Sequence, residues 1–368
     1  MSAQKENPIN PDFFSNKSIL RMVPSPFLAN GKLMSAYSSM LAKKRDKDSD
    51  ISYDRHPMTM SDGGLVSLDW YPRRPLADPV GSTDVSVGSY TLAETKPASI
   101  VIVLPASMGS SNEHRIRSLT MSLFANGSSG CYIVVLNHRG FSRTPLVTYR
   151  VPSFNYTDDL HEVVEYLSKD YPGTPLGAIG YSMGANILTK YLGEQGNECK
   201  LSAASTICCP FDVTMLYGAL AAPTLFNTHV LQPHLTGAAV GFVKRHYDVI
   251  QSGARKYDLD GTIQAKTVLD VDKLMTAPNA GYSSREKYYR ESSSRPYVCK
   301  IATPYLAINS RDDPMVPVDA IPIEVFRTNP YTALLLTNHG GHLAFLTGAA
   351  QKIWYIDPVV HFFKSTLQ

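Results

Sequence analysis

The chain has 368 residues, 43% hydrophobic and 18% charged, with a formal net charge of +3. Charge below the usual quarter and so large an apolar fraction argue for a substantial buried core, as one large α/β domain or two small ones. The net charge of +3 is too slight to imply a nucleic-acid partner or an anionic surface. Five cysteines (Cys131, Cys199, Cys208, Cys209, Cys299), an odd number without a C-x-x-C pair, read as reduced thiols of an intracellular, cytoplasmic protein. No apolar run approaches the ~18 residues of a membrane span, and the N-terminus lacks the pattern of a secretory signal.

In chain order, residues 1–18 are polar. Residues 19–44 mix apolar and basic side chains, consistent with a helix packed on the core or a segment touching a membrane surface; Pro24 and Pro26 interrupt the stripe and favour the core. His56 to Tyr71 predicts a hairpin turning at Asp62-Gly63-Gly64. Residues 72–97, rich in Pro, Ser, Gly and Thr, predict a surface loop. Alternating strands and helices follow. Strands are expected at Ser99–Leu104, Cys131–Leu136, Leu176–Ile179, Leu201–Cys208, Tyr305–Ile308 and Ala333–Leu336. A helix is expected over Asp158–Leu167, where Leu160, Val163, Val164 and Leu167 share one face above two acidic first-turn residues. This alternation argues for a parallel sheet covered on both faces. The division expected is an N-terminal extension (1–50), a core (51–210 and 301–368) and an inserted cap (211–300) whose apolar stretches would line a pocket or pack the cap itself.

The most informative stretch is PLGAIGYSMGANILTKYL, residues 175–192. A short apolar strand meets Gly180-Tyr181-Ser182-Met183-Gly184, and Ile187, Leu188, Tyr191 and Leu192 then recur at helical spacing. Strand, sharp turn and helix with a serine at the apex form the nucleophile elbow of an α/β-hydrolase, which lifts Ser182 Oγ above the sheet and aims the Met183 N–H at an oxyanion. A dinucleotide site is disfavoured, because Gly177, Gly180 and Gly184 do not have the G-x-G-x-x-G spacing.

A serine needs a base, and the base an orienting carboxylate; in this fold both sit on loops after late strands. The sequence offers Asn309-Ser310-Arg311-Asp312-Asp313-Pro314 and Asn338-His339-Gly340-Gly341-His342. His342 is the favoured base, since the preceding glycines let it reach back, and His339 is its competitor. Asp312, the third residue past Asn309, is favoured over Asp313; either would otherwise cap a turn before Pro314. His339 and His342 are not expected to bind metal on a glycine loop without a third ligand, and no cofactor is expected. For the oxyanion, the loop Pro105-Ala106-Ser107-Met108-Gly109 makes the Ser107 N–H the second donor beside Met183.

NHRGFSRTPL (137–146), GAIGYSMGANILTKYLGEQG (177–196), NSRDDPMVP (309–317) and GGHLAF (340–345) together resemble the AB hydrolase 4 family, which contains plant embryogenesis-associated proteins, yeast medium-chain ethyl-ester synthases/esterases and mammalian α/β-hydrolase domain-containing lipases. The likeness extends to DGGLVSLDWYP (62–72) and VLDVDKLMTAPNAGYSSREKYY (268–289), and covers about residues 20 to 365. It implies an α/β-hydrolase fold, a mostly parallel eight-stranded sheet with a helical cap. It further implies Ser182 as nucleophile, Asp312 as acid and His342 as base, acting on medium-chain acyl esters, monoacylglycerols or phospholipids. The chain departs from the family at 105–109, where the usual P-G-L-T-G is PASMG, and membrane or lipid-droplet contact is expected to be peripheral. No histidine has an aspartate five residues on, so the H-x-x-x-x-D acyltransferase motif is missing. The expected activity is therefore a serine carboxylesterase or lipase. The alternatives are an alcohol O-acyltransferase using the same acyl-enzyme and a catalytically silent lipid-binding fold.

Overall fold

A computed structural model of the chain describes residues 9, 13, 17–45, 51–75, 96–126, 130–253 and 257–367; most of the loop expected over 72–97 lies outside them. Eight strands form one sheet: β1 (Asp54–Thr59), β2 (Leu65–Tyr71), β3 (Ser99–Leu104), β4 (Cys131–Asn137), β5 (Leu176–Tyr181), β6 (Ala203–Ile207), β7 (Tyr305–Ser310) and β8 (Thr332–Thr337). Their order is β1-β2-β4-β3-β5-β6-β7-β8. The β1–β2 hairpin turns at Asp62-Gly63-Gly64 as expected and joins β4 antiparallel; every later pairing is parallel, with Val101 opposite Ile133 and Ile207 opposite Ile308. A small two-stranded sheet follows, β9 (Leu346–Thr347) with β10 (Lys352–Ile353).

The helices of eight residues or more are α1 (Gly31–Arg45), α2 (His114–Asn126), α3 (Asp158–Asp170), α4 (Met183–Gln195), α5 (Val213–Ala221), α6 (Gln232–Arg245), α7 (Arg285–Ser292) and α8 (Ile356–Thr366). Strand residues alternate between two cores, as the pleat requires. Ile100, Ile102 and Leu104 pack with Leu160, Val163 and Leu167 of α3 and Leu188 and Leu192 of α4; Val101 and Val103 pack with Ile116 and Leu119 of α2 and Val359 and Phe362 of α8. Because both faces are covered, the central strands β3, β5 and β6 are buried along their whole length. Among the described residues, no helix is long and apolar enough to cross a membrane.

One buried carboxylate ties the antiparallel side together. Asp69 of β2 accepts from Arg55 Nε (2.6 Å) and Nη2 (2.7 Å), from Asn137 Nδ2 at the end of β4 (2.8 Å) and from Ser111 Oγ (2.5 Å) in the loop after β3. The NHRG sequence that follows β4 is structural in the same way, since Arg139 pairs with Asp62 of the hairpin turn and with Asp159 of α3.

Among the described residues, the segment between β6 and β7 carries helices joined by short turns and no strand, and it is fastened to α4. Asn186 of α4 donates to Ser292 O (2.8 Å) and accepts from Ser294 N (3.1 Å). Within the segment the Tyr217 and Tyr289 rings stack 4.0 Å apart, and the Tyr289 hydroxyl donates to Asp272 Oδ2 at 3.0 Å. Burial pushes the Asp272 carboxyl up from an ordinary 3.8 to about 6. Folding therefore takes up a proton between these values, so the contribution of this group is most favourable below about pH 4 and is lost as the pH rises through 6. We expect urea-unfolding free energies of wild type and Asp272→Asn to shift relative to each other, in favour of Asn, by about 3 kcal/mol between pH 4 and pH 7. A difference that stays flat over that range would show that the carboxyl is ionised in the fold.

Candidate active site

Ser182 occupies the tip of the β5–α4 turn with φ 49° and ψ −109°, a region that costs a non-glycine residue ~1–3 kcal/mol. Its surroundings hold it there. The Ser182 N–H donates to Ile207 O of β6 at 3.0 Å. A Cβ on Gly180 would lie 2.5 Å from Gly184 O, and one on Gly184 would lie 2.5 Å from both Leu104 O and Pro105 O. The two glycines of G-x-S-x-G thus let the turn close on itself and let α4 press against the end of β3.

That second contact sets the loop after β3 beside the first turn of α4. The first helical hydrogen bond runs from Asn186 N to Ser182 O, so the Met183 N–H at the helix start has no intrahelical carbonyl to meet. Free N–H groups at a helix N-terminus, with the helix dipole behind them, suit a developing negative charge. Opposite lies the 105–109 loop, turned by a Gly109 N to Ala106 O bond (2.9 Å) and by Met108 at φ 62°, with Ser107 exposed. His138 Nε2 lies 3.2 Å from Pro105 O, and burial lowers the pKa of its imidazole, keeping it neutral. Leu104, Leu136, His138, Val151 and Ile187 line a cavity of about 20 Å³ there, room for a water and too small for an acyl chain.

The structure brings His342, not His339, to the serine: His342 Nε2 is 3.0 Å from Ser182 Oγ. The other ring nitrogen, Nδ1, is 2.8 Å from Asp313 Oδ2. Asp313, not the expected Asp312, is therefore the carboxylate in line with the imidazole. The reason is strand length. β7 continues two residues past Ile308, pairing Asn309 with Leu336 and Ser310 with Thr337, so the loop starts only at Arg311, and its third residue, Asp313, is the one that meets the imidazole. The Asp313 side chain is fully buried, and its Oδ1 accepts from Met315 N (2.8 Å) and Val316 N (3.0 Å), which fixes the carboxylate plane. Asp312 turns the other way: its Oδ1 accepts from Gly341 N (2.9 Å), and its Oδ2 lies 3.5 Å from His339 Nδ1 near the surface.

The loop that carries His342 is tied through several of its backbone polar groups. Gly341 N–H goes to Asp312, and Gly341 O accepts from Ser310 Oγ at 3.0 Å and from Cys208 Sγ at 3.6 Å. His342 N–H donates to Ser35 Oγ at 2.8 Å, and Leu343 N–H to Cys208 Sγ at 3.2 Å. Burial raises the Cys208 thiol pKa well above its ordinary value, so it stays protonated and both gives and receives a bond. Ser35 belongs to the first turn of α1 and in turn donates to Gly31 O (2.6 Å); Gly31 packs so tightly on Asp312 that a Cβ would lie 1.9 Å from its carbonyl oxygen. The core alternative for residues 19–44 holds for this turn, with Met34 buried against Ala344 and Leu346. No sequence signal singles out Ser35, which stands 307 residues before its partner. Among the described residues, one group has metal-ligand spacing: Cys208, Asp313 and His342. Its donor atoms are already engaged in these bonds.

A family model described as alpha/beta hydrolase fold matches residues 100–349. Phospholipase ABHD3 of Mus musculus is 32% identical over 310 residues, which is 84% of this chain and 70% of that protein. Monoacylglycerol lipase of Saccharomyces cerevisiae is 28% identical over 362 residues, 92% of this chain and 79% of that one. The solved esterase Pf2001 of Pyrococcus furiosus covers 88% of this chain and 96% of its own, with a TM-score of 0.52 at 16% identity, a likeness of fold. With the elbow, the sheet order and the late-strand loops all in place, the chain belongs to the α/β-hydrolase fold family, in its AB hydrolase 4 group.

Proposed function

We propose that this carboxylic ester hydrolase cleaves apolar acyl esters, of the monoacylglycerol or phospholipid type, through Ser182, His342 and Asp313. The observation that carries the reading is the unbroken line Asp313 Oδ2–His342–Ser182 Oγ, with spacings of 2.8 and 3.0 Å. His342 Nε2 takes the Ser182 proton as Oγ attacks the ester carbonyl, and Asp313 holds the Nδ1–H tautomer and balances the imidazolium. The N–H groups of Met183 and Ser107 receive the oxyanion. Collapse of the tetrahedral intermediate expels the alcohol with the proton from His342 and leaves an acyl-Ser182 ester. Water, deprotonated by the same imidazole, then releases the acid; an alcohol in its place would give ester exchange. The names of the two relatives, a phospholipase and a monoacylglycerol lipase, support a lipid ester as substrate, and the helical segment after β6 would form the cap over it.

A fluorophosphonate probe tests the nucleophile directly: wild type labels and Ser182→Ala does not. A correctly folded wild type that fails to label would sink the reading. The acid is separated by a pair of variants assayed on a p-nitrophenyl ester. Asp313→Asn should lower kcat on the order of 10³–10⁴-fold, because the imidazole loses its tautomer, whereas Asp312→Asn should stay within about tenfold. A loss of equal size at Asp312 would reassign the carboxylate. Ser35 is a positioning residue, acting on His342 through its backbone. Ser35→Ala should lower kcat by about tenfold, the worth of one hydrogen bond, with KM unchanged. If only the melting temperature falls while kcat holds, Ser35 supports the fold and not the imidazole.

A further inference from the structure

Two stretches of the chain, 13–45 and 213–247, contain no aspartate or glutamate. They meet beside the active site. Lys32 Nζ of α1 stands 5.9 Å from the centre of the Phe226 ring, one turn of helix from Ser35, which holds the His342 backbone. Around this junction large apolar side chains face water: Phe27 is 96% exposed, Leu225 81%, Leu33 59% and Val230 43%. Exposed apolar residues scattered singly need no explanation; four on two touching stretches do.

Phe27 is held out by construction. It adopts φ 64°, a left-handed conformation that a bulky side chain rarely takes. The turn that imposes it is stapled to the small sheet: Ser25 N donates to Leu346 O (2.9 Å), Ser25 Oγ to Gly348 O (2.7 Å) and Thr347 Oγ1 to Val23 O (2.6 Å). A rigid turn thus presents the phenyl ring to solvent. Arg21 and Lys32, both exposed, add positive charge with no acid on either stretch to offset it.

We infer that this face docks on an anionic phospholipid bilayer. Phe27 and Leu225 enter the boundary between headgroups and acyl chains, and Lys32 and Arg21 lie against the lipid phosphates. Docking there brings the α1 turn that holds His342 to the surface from which a lipid ester would be drawn. The inference rests on the lipid-ester reading above for its purpose, but binding is read without turnover, so the two can fail separately.

The test is co-sedimentation of the full chain with vesicles of phosphatidylcholine alone and of phosphatidylcholine mixed with phosphatidylserine. Wild type should pellet with the mixed vesicles. The double variant Phe27→Asn/Leu225→Ser, in which Asn suits the left-handed position, should bind about a hundredfold more weakly, from the transfer cost of two large apolar side chains. Lys32→Gln should weaken binding to the mixed vesicles alone. Turnover of a soluble short-chain p-nitrophenyl ester should be the same in wild type and all variants, which shows that the variants fold. A wild type that stays in the supernatant, or a double variant that still pellets, would overturn the docking surface. Equal binding to both vesicle types, untouched by Lys32→Gln, would overturn the anionic partner. Absence of ester turnover in a wild type that still pellets would count against the proposed reaction and leave the docking surface standing.

Discussion

The placement of one imidazole depends on how a five-residue loop is held. Residues 339–343 form no regular structure, and a loop of glycines and histidines has little stiffness of its own. Its backbone groups are instead met by Ser35, Cys208, Ser310 and Asp312, four side chains from three parts of the chain. Each bond contributes only ~1 kcal/mol, yet together they leave His342 one orientation, with Nδ1 to the buried carboxylate and Nε2 to the serine. Precision here comes from many modest interactions that agree, and losing any one of them would loosen the ring before it unfolds the protein.

The serine is held by the opposite strategy. Ser182 sits in an unfavourable backbone conformation because β6 takes its N–H and because two glycines allow contacts that no side chain would. The strain is local and is borne by a sheet whose central strands are buried end to end. Rigid serine and tethered histidine therefore belong to different mechanical regimes within one site. Buried Asp69 extends the rigid part to the antiparallel strands, since it accepts from both Ser111 and Asn137.

Much of this was legible in the residues. Alternation of apolar strands with one amphipathic helix identified the parallel sheet, and strand β3 begins and ends where its apolar run does. The elbow was readable because its steric demands fall on residues adjacent in sequence. Asp313 was misassigned to Asp312 because Asn309 and Ser310 are polar, which suggests a loop, while in space they extend β7 against β8. Tertiary pairing overrode local polarity. Ser35 was invisible for a different reason: its hydroxyl acts on a backbone group whose position no local pattern encodes. Cys208 read as one of five reduced thiols, and only the positive φ that ends β6 turns it under the histidine loop.

The first turn of α1 completes a site whose histidine is far from it in sequence, and that has a consequence for the order of events during folding. Ser35 and His342 are 307 residues apart, Pro24 pairs with Thr347, and Phe13 packs on Phe362. Contacts of such long range form late, after the entropy of closing the chain has been met. A growing polypeptide thus presents Ser182 and its helical insertion well before His342. The proposed line of Ser182, His342 and Asp313 would be complete only once β7 and β8 have emerged and Ser35 has met the histidine loop, so its assembly would report the pairing of distant segments.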